Sequence, residues 1–417
     1  MKHKHFIPIF IAVMATLPGI VVRLIGAHLD PGMMALTSGI AILGASFLLL
    51  WACDVAQADI SPTLALAVVA LIAVLPEYAV DMYFTWQAGK FPESDYAHYA
   101  IANMTGANRL LIGVAWGLIV AIYWIRHRRD VCIGKDRRTE LFFLGIATIY
   151  AFVIPLKGTL AWYDSLVLLG IYGWYLVVAG RRPCVEVEVE GLAGVLARLP
   201  KKKRRCVTAL LFLFAAGAIL ANAESFCEGL IGTGKALHIN EFLLVQWLAP
   251  IASEAPEFIV ALVFAWHGRA GMALGSLLSA KLNQWTLLVG MIPIVFALAS
   301  ESLKHSLPMG QFQMNEILLT AAQTLLAVIL LAPLRLSIGG AALLFGLFIG
   351  QFITLPLLQS LPNGAPFNLN DESIRPFFAL LYIMGAITIF MQQSRWTLAL
   401  PQGVLRATNK EKTARKK

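Results

Sequence analysis

Charge is scarce in this chain. Of its 417 residues only 14% are Asp, Glu, Lys or Arg, against 59% apolar. That balance excludes an ordinary soluble globular protein and fits a chain whose solvent is lipid. There are five cysteines, an odd number with no metal-ligand spacing. They exclude a disulfide framework and read as reduced thiols. No P-loop, HExxH or GxSxG is present, and the eight histidines fall in loops or near the ends of apolar runs. A membrane-embedded hydrolase lacks its machinery, so the chain reads as no enzyme with no cofactor, and any work it does draws on an ion gradient. Residues 1–26 have a basic start and an apolar run without a small-residue cleavage site. They read as a first membrane helix, not a removable signal peptide.

What is present is a series of long apolar runs. About 20 residues of helix cross a bilayer core of roughly 30 Å. Twelve spans are expected, near 6–26, 34–57, 61–86, 101–125, 140–156, 160–180, 207–231, 241–266, 271–297, 314–333, 337–358 and 376–394. The run at 140–156 is the shortest and weakest. The net charge of +9 is distributed by loop. With the N-terminus inside, the inside segments hold Lys2, Lys4, the basic cluster of 126–138, the cluster of 181–205, Arg269, Arg335 and the basic tail from Arg395. The outside loops hold Lys90, Lys157, Lys235, Lys304 and Arg375. This satisfies the positive-inside rule and places both termini in the cytoplasm of a cell with a bacterial-type inner (plasma) membrane. RHRR at 126–129 and KKKRR at 201–205 are then topology signals. They are not a nucleic-acid surface, and their contact with anionic lipid heads is unspecific.

A Pro-Glu pair occurs twice inside apolar runs, as Pro76-Glu77 and Pro256-Glu257. Neighbours agree at the same offset: Tyr78 with Phe258, Val80 with Val260, Phe84 with Phe264, Trp86 with Trp266. A carboxylate in hydrocarbon is costly and marks a functional site by default. The adjacent proline frees a backbone carbonyl from the helix ladder. One helix later, Ala102-Asn103-Met104-Thr105-Gly106-Ala107-Asn108 aligns without a gap on Gly275-Ser276-Leu277-Leu278-Ser279-Ala280-Lys281. The duplication reads as five helices plus five. Five is odd, so the second copy enters the membrane in the opposite sense, and Glu77 and Glu257 meet near the midplane. The expected organisation is an extra helix in 1–33, a first repeat in 34–180, a basic linker in 181–206, a second repeat in 207–360, and an extra helix with a basic tail in 361–417. The linker contains an alternating Val-Glu run, Val185 to Glu190, and an amphipathic piece from Gly191 to Leu199. The fold class is an all-α membrane protein of about twelve transmembrane helices, with two inverted repeats and discontinuous helices at the midplane.

These stretches resemble those of the sodium/calcium exchanger (cation/calcium exchanger) family, in the manner of a divergent prokaryotic-type member. That family carries a Gly-Ser/Thr-Ser-x-Pro-Glu stretch in each repeat. It carries a Gly-Asn/Asp-x-x-Gly-Ser-Asn stretch one helix later. Here the first appears as Ala73-Val74-Leu75-Pro76-Glu77 and Ser253-Glu254-Ala255-Pro256-Glu257. The resemblance covers roughly 34–117 and 207–290. It implies cation carboxylates at Glu77 and Glu257, with Asn103, Ser253 and Ser276 as further metal ligands. It also shows departures. Ala73 and Val74 replace hydroxyl residues, Ser276 stands where many members carry a carboxylate, and Lys281 stands where the family has Asn.

The remaining polar residues carry two readings each. Asp81 shares a helix face with Glu77, and Glu254 shares one with Glu257, so each is a candidate ligand or a packing contact. Lys281 either snorkels to the interface or pairs with a site carboxylate and stands in for a sodium ion. Its counterpart is Asn108, next to Arg109. Lys281 is about 140° around the helix from Ser276, which disfavours contact with one shared ion. Asp54, Asp164, Glu224 and Glu228 are further acids within spans, and of these Asp54 and Glu224 fall in the first helix of each repeat. Calcium asks for six to eight oxygens and an environment near charge −2. Glu77 and Glu257 supply that charge, and sodium, calcium and protons compete for it. The expected function is a secondary-active cation antiporter of sodium/calcium exchanger type. It works by alternating access, its partners being inorganic cations and the lipid bilayer. The alternative is an antiporter of sodium or another cation against protons that does not carry calcium.

Overall fold

The computed structural model describes residues 7–27, 29–59, 72, 74–181, 191–359 and 372–404. Among these, ten helical stretches are long and apolar enough to cross a membrane. They are Ile7–Ile25, Pro31–Ala56, Tyr96–His127, Lys135–Lys157, Trp162–Gly180, Lys201–Leu237, Glu241–Trp266, Ala270–Ala299, Gln311–Leu331 and Ile374–Val404. A shorter apolar helix covers Ile338–Thr354. The short run expected at 140–156 is a helix of 20 residues, Arg138–Lys157. The first part of the span expected at 61–86, Ala73 included, and the Val-Glu run of the linker lie outside the described residues. The described helices form two compact units, residues 1–87 with 176–257 and residues 88–175 with 258–417. Each unit draws on both halves of the chain.

The first unit contains α1 (Ile7–Ile25), α2 (Pro31–Ala56) and most of α3 (Leu75–Lys90). It also holds the short helix α4 (Gly191–Ala197), α5 (Lys201–Leu237) and the first part of α6 (Glu241–Trp266). Helix α2 is opened by Asp30, whose carboxylate accepts from the Gly32 N–H, with proline at its first position. That is the usual chemistry of a helix start. It packs along α5 and α1 at small residues. A β-carbon on Gly229 would lie 2.6 Å from the Ala35 nitrogen, and one on Gly44 would lie 2.6 Å from the Ala12 oxygen. Close backbone approach of this kind is how helices associate where water supplies no drive. Ala45, Leu48, Leu49, Ala215 and Ile219 fill the seam. Helix α5 has 37 residues, longer than a bilayer core requires, and opens on the basic run Lys201–Arg205. There Arg204 donates to Asp59 at 2.7 and 2.8 Å, and Arg205 donates at 3.2 Å. The Arg204 hydrogen bonds hold the Asp59 carboxyl down at about 2.

Helix α3 starts at Leu75, after a turn at Val74, so the chain breaks just ahead of Pro76-Glu77. Helix α6 runs without a break through Pro250 and Pro256. The second copy keeps the proline and omits the described break.

The second unit is built on two matched rods. One is α7 (Tyr96–Leu110), a π-helical segment Leu111–Trp116, and α8 (Gly117–His127). The other is α9 (Ala270–Asn283), a π-helical segment Gln284–Leu288, and α10 (Val289–Ala299). The two π segments begin at positions aligned by the gapless match of 102–108 on 275–281. Around them stand α11 (Arg138–Lys157), most of α12 (Trp162–Gly180), α13 (Gln311–Leu331), α14 (Ile338–Gln359) and α15 (Ile374–Thr397). Two short strands, β1 (Val131–Cys132) and β2 (Arg335–Leu336), pair antiparallel. A single bridge joins Leu160 to Leu307. The strand pair joins the connection between helices three and four of repeat one to that between four and five of repeat two. The bridge does the reverse. This exchange is what a twofold relation between the copies produces.

Candidate carboxylate and carboxamide sites

Carboxylates gather in the first unit. Glu77 lies in the first turn of α3, 2% exposed, and neither of its oxygens receives a hydrogen bond from an N–H or hydroxyl donor. Within hydrogen-bonding reach is the carboxylate of Glu254. Two ionised carboxylates cannot bond each other, so a proton or a cation must mediate. Asp81 and Glu254 are buried as well. The charges of Glu254, Asp81 and Glu257 act on Glu77, the strongest being Glu254. Asp54 of α2 acts in turn on the half-buried Glu257. Three helices thus contribute five acids. Among its acidic neighbours Glu254 acts on Glu77 most strongly, ahead of the repeat-matched Glu257 that the sequence singles out. Ser253 is buried and turns its hydroxyl hydrogen back onto the Ala249 and Pro250 carbonyls, at 3.2 and 3.3 Å. Its lone pairs remain available as acceptors. Among the described residues no group of three or more Asp, Glu, His or Cys side chains is disposed by itself to hold a metal ion. A cation here needs other oxygens too, and Pro256, inside α6, withdraws an N–H donor from the Ala252 carbonyl.

A second acidic line runs along α5. Tyr83 donates from its hydroxyl to Glu228 at 2.8 Å, and Gln87 donates to that hydroxyl at 3.1 Å. Glu224 pairs with Arg23 at 2.5 Å, both side chains about half exposed. Sequence reading placed Asp54 and Glu224 in the first helix of each repeat. The better signal is the dipeptide Cys53-Asp54 against Cys227-Glu228. Cys53 lies in the field of Asp54 and Glu257, and Cys227 in that of Glu228 and Asp81. Each first helix therefore sets its acid against the Pro-Glu helix of the other repeat.

The amide residues gather in the second unit. Asn103 and Asn108 are fully buried on α7, whereas Ser276, the repeat mate of Asn103, is exposed on α9. Asn108 donates from Nδ2 to the Met104 carbonyl at 2.8 Å, which turns Oδ1 the other way. Lys281 donates to that Oδ1 at 2.6 Å and to the Asn108 carbonyl at 3.2 Å, and its Nζ lies 4.5 Å from the centre of the Trp285 ring. Lys281 has no exposed surface. The snorkelling alternative is thereby corrected: this side chain turns inward because its acceptor is the residue at its own repeat-related position.

Two further buried groups complete the second unit. Arg109 pairs with Glu316 and bonds Gln351, and Arg375 pairs with Glu316 from the other side. Asp164 accepts from Tyr150 at 2.5 Å, from the Ala161 N–H at 2.7 Å and from Lys157. Its oxygens are thus taken up by three local donors.

A family model, the sodium/calcium exchanger protein, matches residues 31–180 and 207–356. The chain belongs to that exchanger family. Among solved exchangers, the H+/Ca2+ exchanger CAX shares 39% identity, with a TM-score of 0.90 over 98% of this chain and 99% of that one. The sodium-calcium exchanger NCX_Mj, soaked with sodium and strontium, shares 20% identity at a TM-score of 0.52, covering 78% of this chain and 98% of that one. YfkE shares 13% at a TM-score of 0.60, covering 90% and 99%. The last two show a common fold only. A protein of Alkalimonas amylolytica provisionally named antiporter CaxA is 26% identical over 145 residues, 34% of this chain. That match spans 42% of the relative's length. With ten membrane-length apolar helices among the described residues, this exchanger-family chain is an integral membrane protein.

Proposed function

We propose that the protein is a secondary cation antiporter that carries calcium against protons. The observation that carries this is Glu77, buried without a donor hydrogen bond and within reach of the Glu254 carboxylate. Such a pair holds either protons or a cation. Binding one expels the other, which is the competition an exchanger needs. Calcium is favoured by the oxygen-only chemistry of Glu77, Glu254, Glu257, Asp81, Asp54 and Ser253. Proton coupling is favoured by the likeness to the H+/Ca2+ exchanger at 39% identity. Glu77 and Glu257 carry the ion, Glu254 and Asp81 complete its charge, and Ser253 adds a neutral oxygen. Asn103 supplies an amide oxygen in the second unit. The two repeats expose the site alternately to either face, and both termini face the cytoplasm of a bacterial-type inner membrane.

Calcium uptake into proteoliposomes tests this, with an imposed pH gradient, a sodium gradient, or neither. The expected result is uptake driven by the pH gradient, saturable in calcium, and abolished by Glu77→Gln. Uptake that needs the sodium gradient sinks the proton assignment. Sodium/proton exchange with no calcium flux establishes the alternative antiporter. Unsaturated current without a counter-ion contradicts both.

A further inference from the structure

Lys281 poses a separate question, because the second unit buries a cation against a carboxamide. Its Nζ meets two oxygens of one residue, Asn108 Oδ1 and the Asn108 carbonyl, and the face of Trp285. Carbonyl and carboxamide oxygens with an aromatic face are surroundings suited to a monovalent cation. The backbone is arranged for it. A π-helical segment starts at Leu111, three residues past Asn108, and another at Gln284, three residues past Lys281. Such wide turns loosen the carbonyl ladder and cluster at functional positions. Asn108 is already oriented by its bond to Met104, so its oxygen is presented and not merely available. Asn108 and Lys281 are repeat mates. If both positions held Asn and each turned its Nδ2 back along its own helix, as Asn108 does, two carboxamide oxygens would face each other, and a small monovalent cation would fit between them.

We propose that Lys281 is a tethered cation that occupies the place of one mobile monovalent ion in the second unit, and so determines ion specificity. The ammonium is held by its own chain, and exchange then proceeds without sodium or potassium at this position. The inference rests on the antiporter reading but concerns a different unit and a different ion.

The test compares wild type with Lys281→Asn and Lys281→Gln in sodium, potassium and choline chloride. Calcium flux of the wild type is expected to be the same in all three. In Lys281→Asn, flux is expected to change about fivefold or more between choline and one alkali cation, the size of an ordinary coupling between two bound ligands. Lys281→Arg is expected to keep the wild-type indifference. If the neutral variants are too unstable to reconstitute, their melting temperatures in detergent extracts carry the same information and are expected to rise with sodium or potassium but not with choline. A neutral variant whose flux and melting temperature ignore the alkali cations overturns the proposal, as does a wild type whose flux depends on sodium. Loss of calcium flux in Glu77→Gln with no alkali effect in Lys281→Asn leaves the antiporter reading standing and removes this one.

Discussion

The two units bury their charged side chains in different company. In the first, Glu77 is sealed from water, receives no donor hydrogen bond and faces other acids. In the second, buried polar groups answer one another: Lys281 with Asn108, and Arg109 and Arg375 with Glu316. An unsatisfied buried carboxylate is held at a cost and asks for a ligand. A satisfied pair asks for nothing and fixes geometry. The comparison sets acids that call for a cation against charged side chains that already have one another.

The sharpest way to break that division is to neutralise each side. Removing one member of a buried charge contact costs about 3–5 kcal/mol, or roughly 100-fold and more in an equilibrium. Glu77→Gln and Glu257→Gln are therefore expected to cut calcium flux by about 100-fold or more while the protein stays folded. Flux and melting temperature measured on the same preparations check both halves of the statement. In the second unit the effect should reverse. Glu316→Gln leaves Arg109 and Arg375 without their shared carboxylate and is expected to cost about 3 kcal/mol of stability, read by thermal unfolding in detergent. A Glu316→Gln protein as stable as wild type would erase the contrast.

Asp81→Asn and Glu254→Gln rank next. They remove charge near Glu77 and are expected to weaken calcium affinity by about 10-fold, the usual range for groups that support a ligand. Glu254 is expected to matter more than Asp81, since its charge acts more strongly on Glu77. The reverse order would return priority to the α3 face.

The smallest effect lies at the membrane edge of the first unit. Asp59 titrates at about 2 in the folded protein, below its ordinary 3.8. A lowered carboxylate contributes stability above its unfolded value and loses it as pH falls through the folded one. The Arg204 contact is thus expected to be intact at neutral pH and to weaken only between about 4 and 2. Asp59→Asn should cost about 1 kcal/mol or less at neutral pH, as ion pairs near water do. Unfolding curves at neutral and acid pH measure it.

Much of this was legible in the sequence. Pro76-Glu77 and Pro256-Glu257 announce the acid site because a proline and a carboxylate are each expensive in an apolar helix. The gapless match of 102–108 on 275–281 puts Lys281 opposite Asn108, and in the folded unit they touch. Other features are not readable this way. Arg109, Glu316 and Arg375 lie far apart in the chain and have no repeat mates that reveal them. The stronger action of Glu254 on Glu77, ahead of Glu257, depends on helix rotation that periodicity leaves open. Ser276 matches Asn103 in alignment yet is exposed, because a shared register does not ensure a shared neighbour. The π segments have no composition signal; only their common distance from Asn108 and Lys281 marks them.

Direct calcium binding to the purified protein tests the central claim, that buried carboxylates of the first unit hold calcium in competition with protons. Binding of radioactive calcium is measured at several pH values for wild type, Glu77→Gln, Glu257→Gln and Glu316→Gln. Wild type and folded Glu316→Gln should bind calcium saturably, with affinity falling as pH falls, and the two first-unit variants should not bind. Calcium binding that survives in Glu77→Gln and Glu257→Gln with its pH dependence intact would contradict the account.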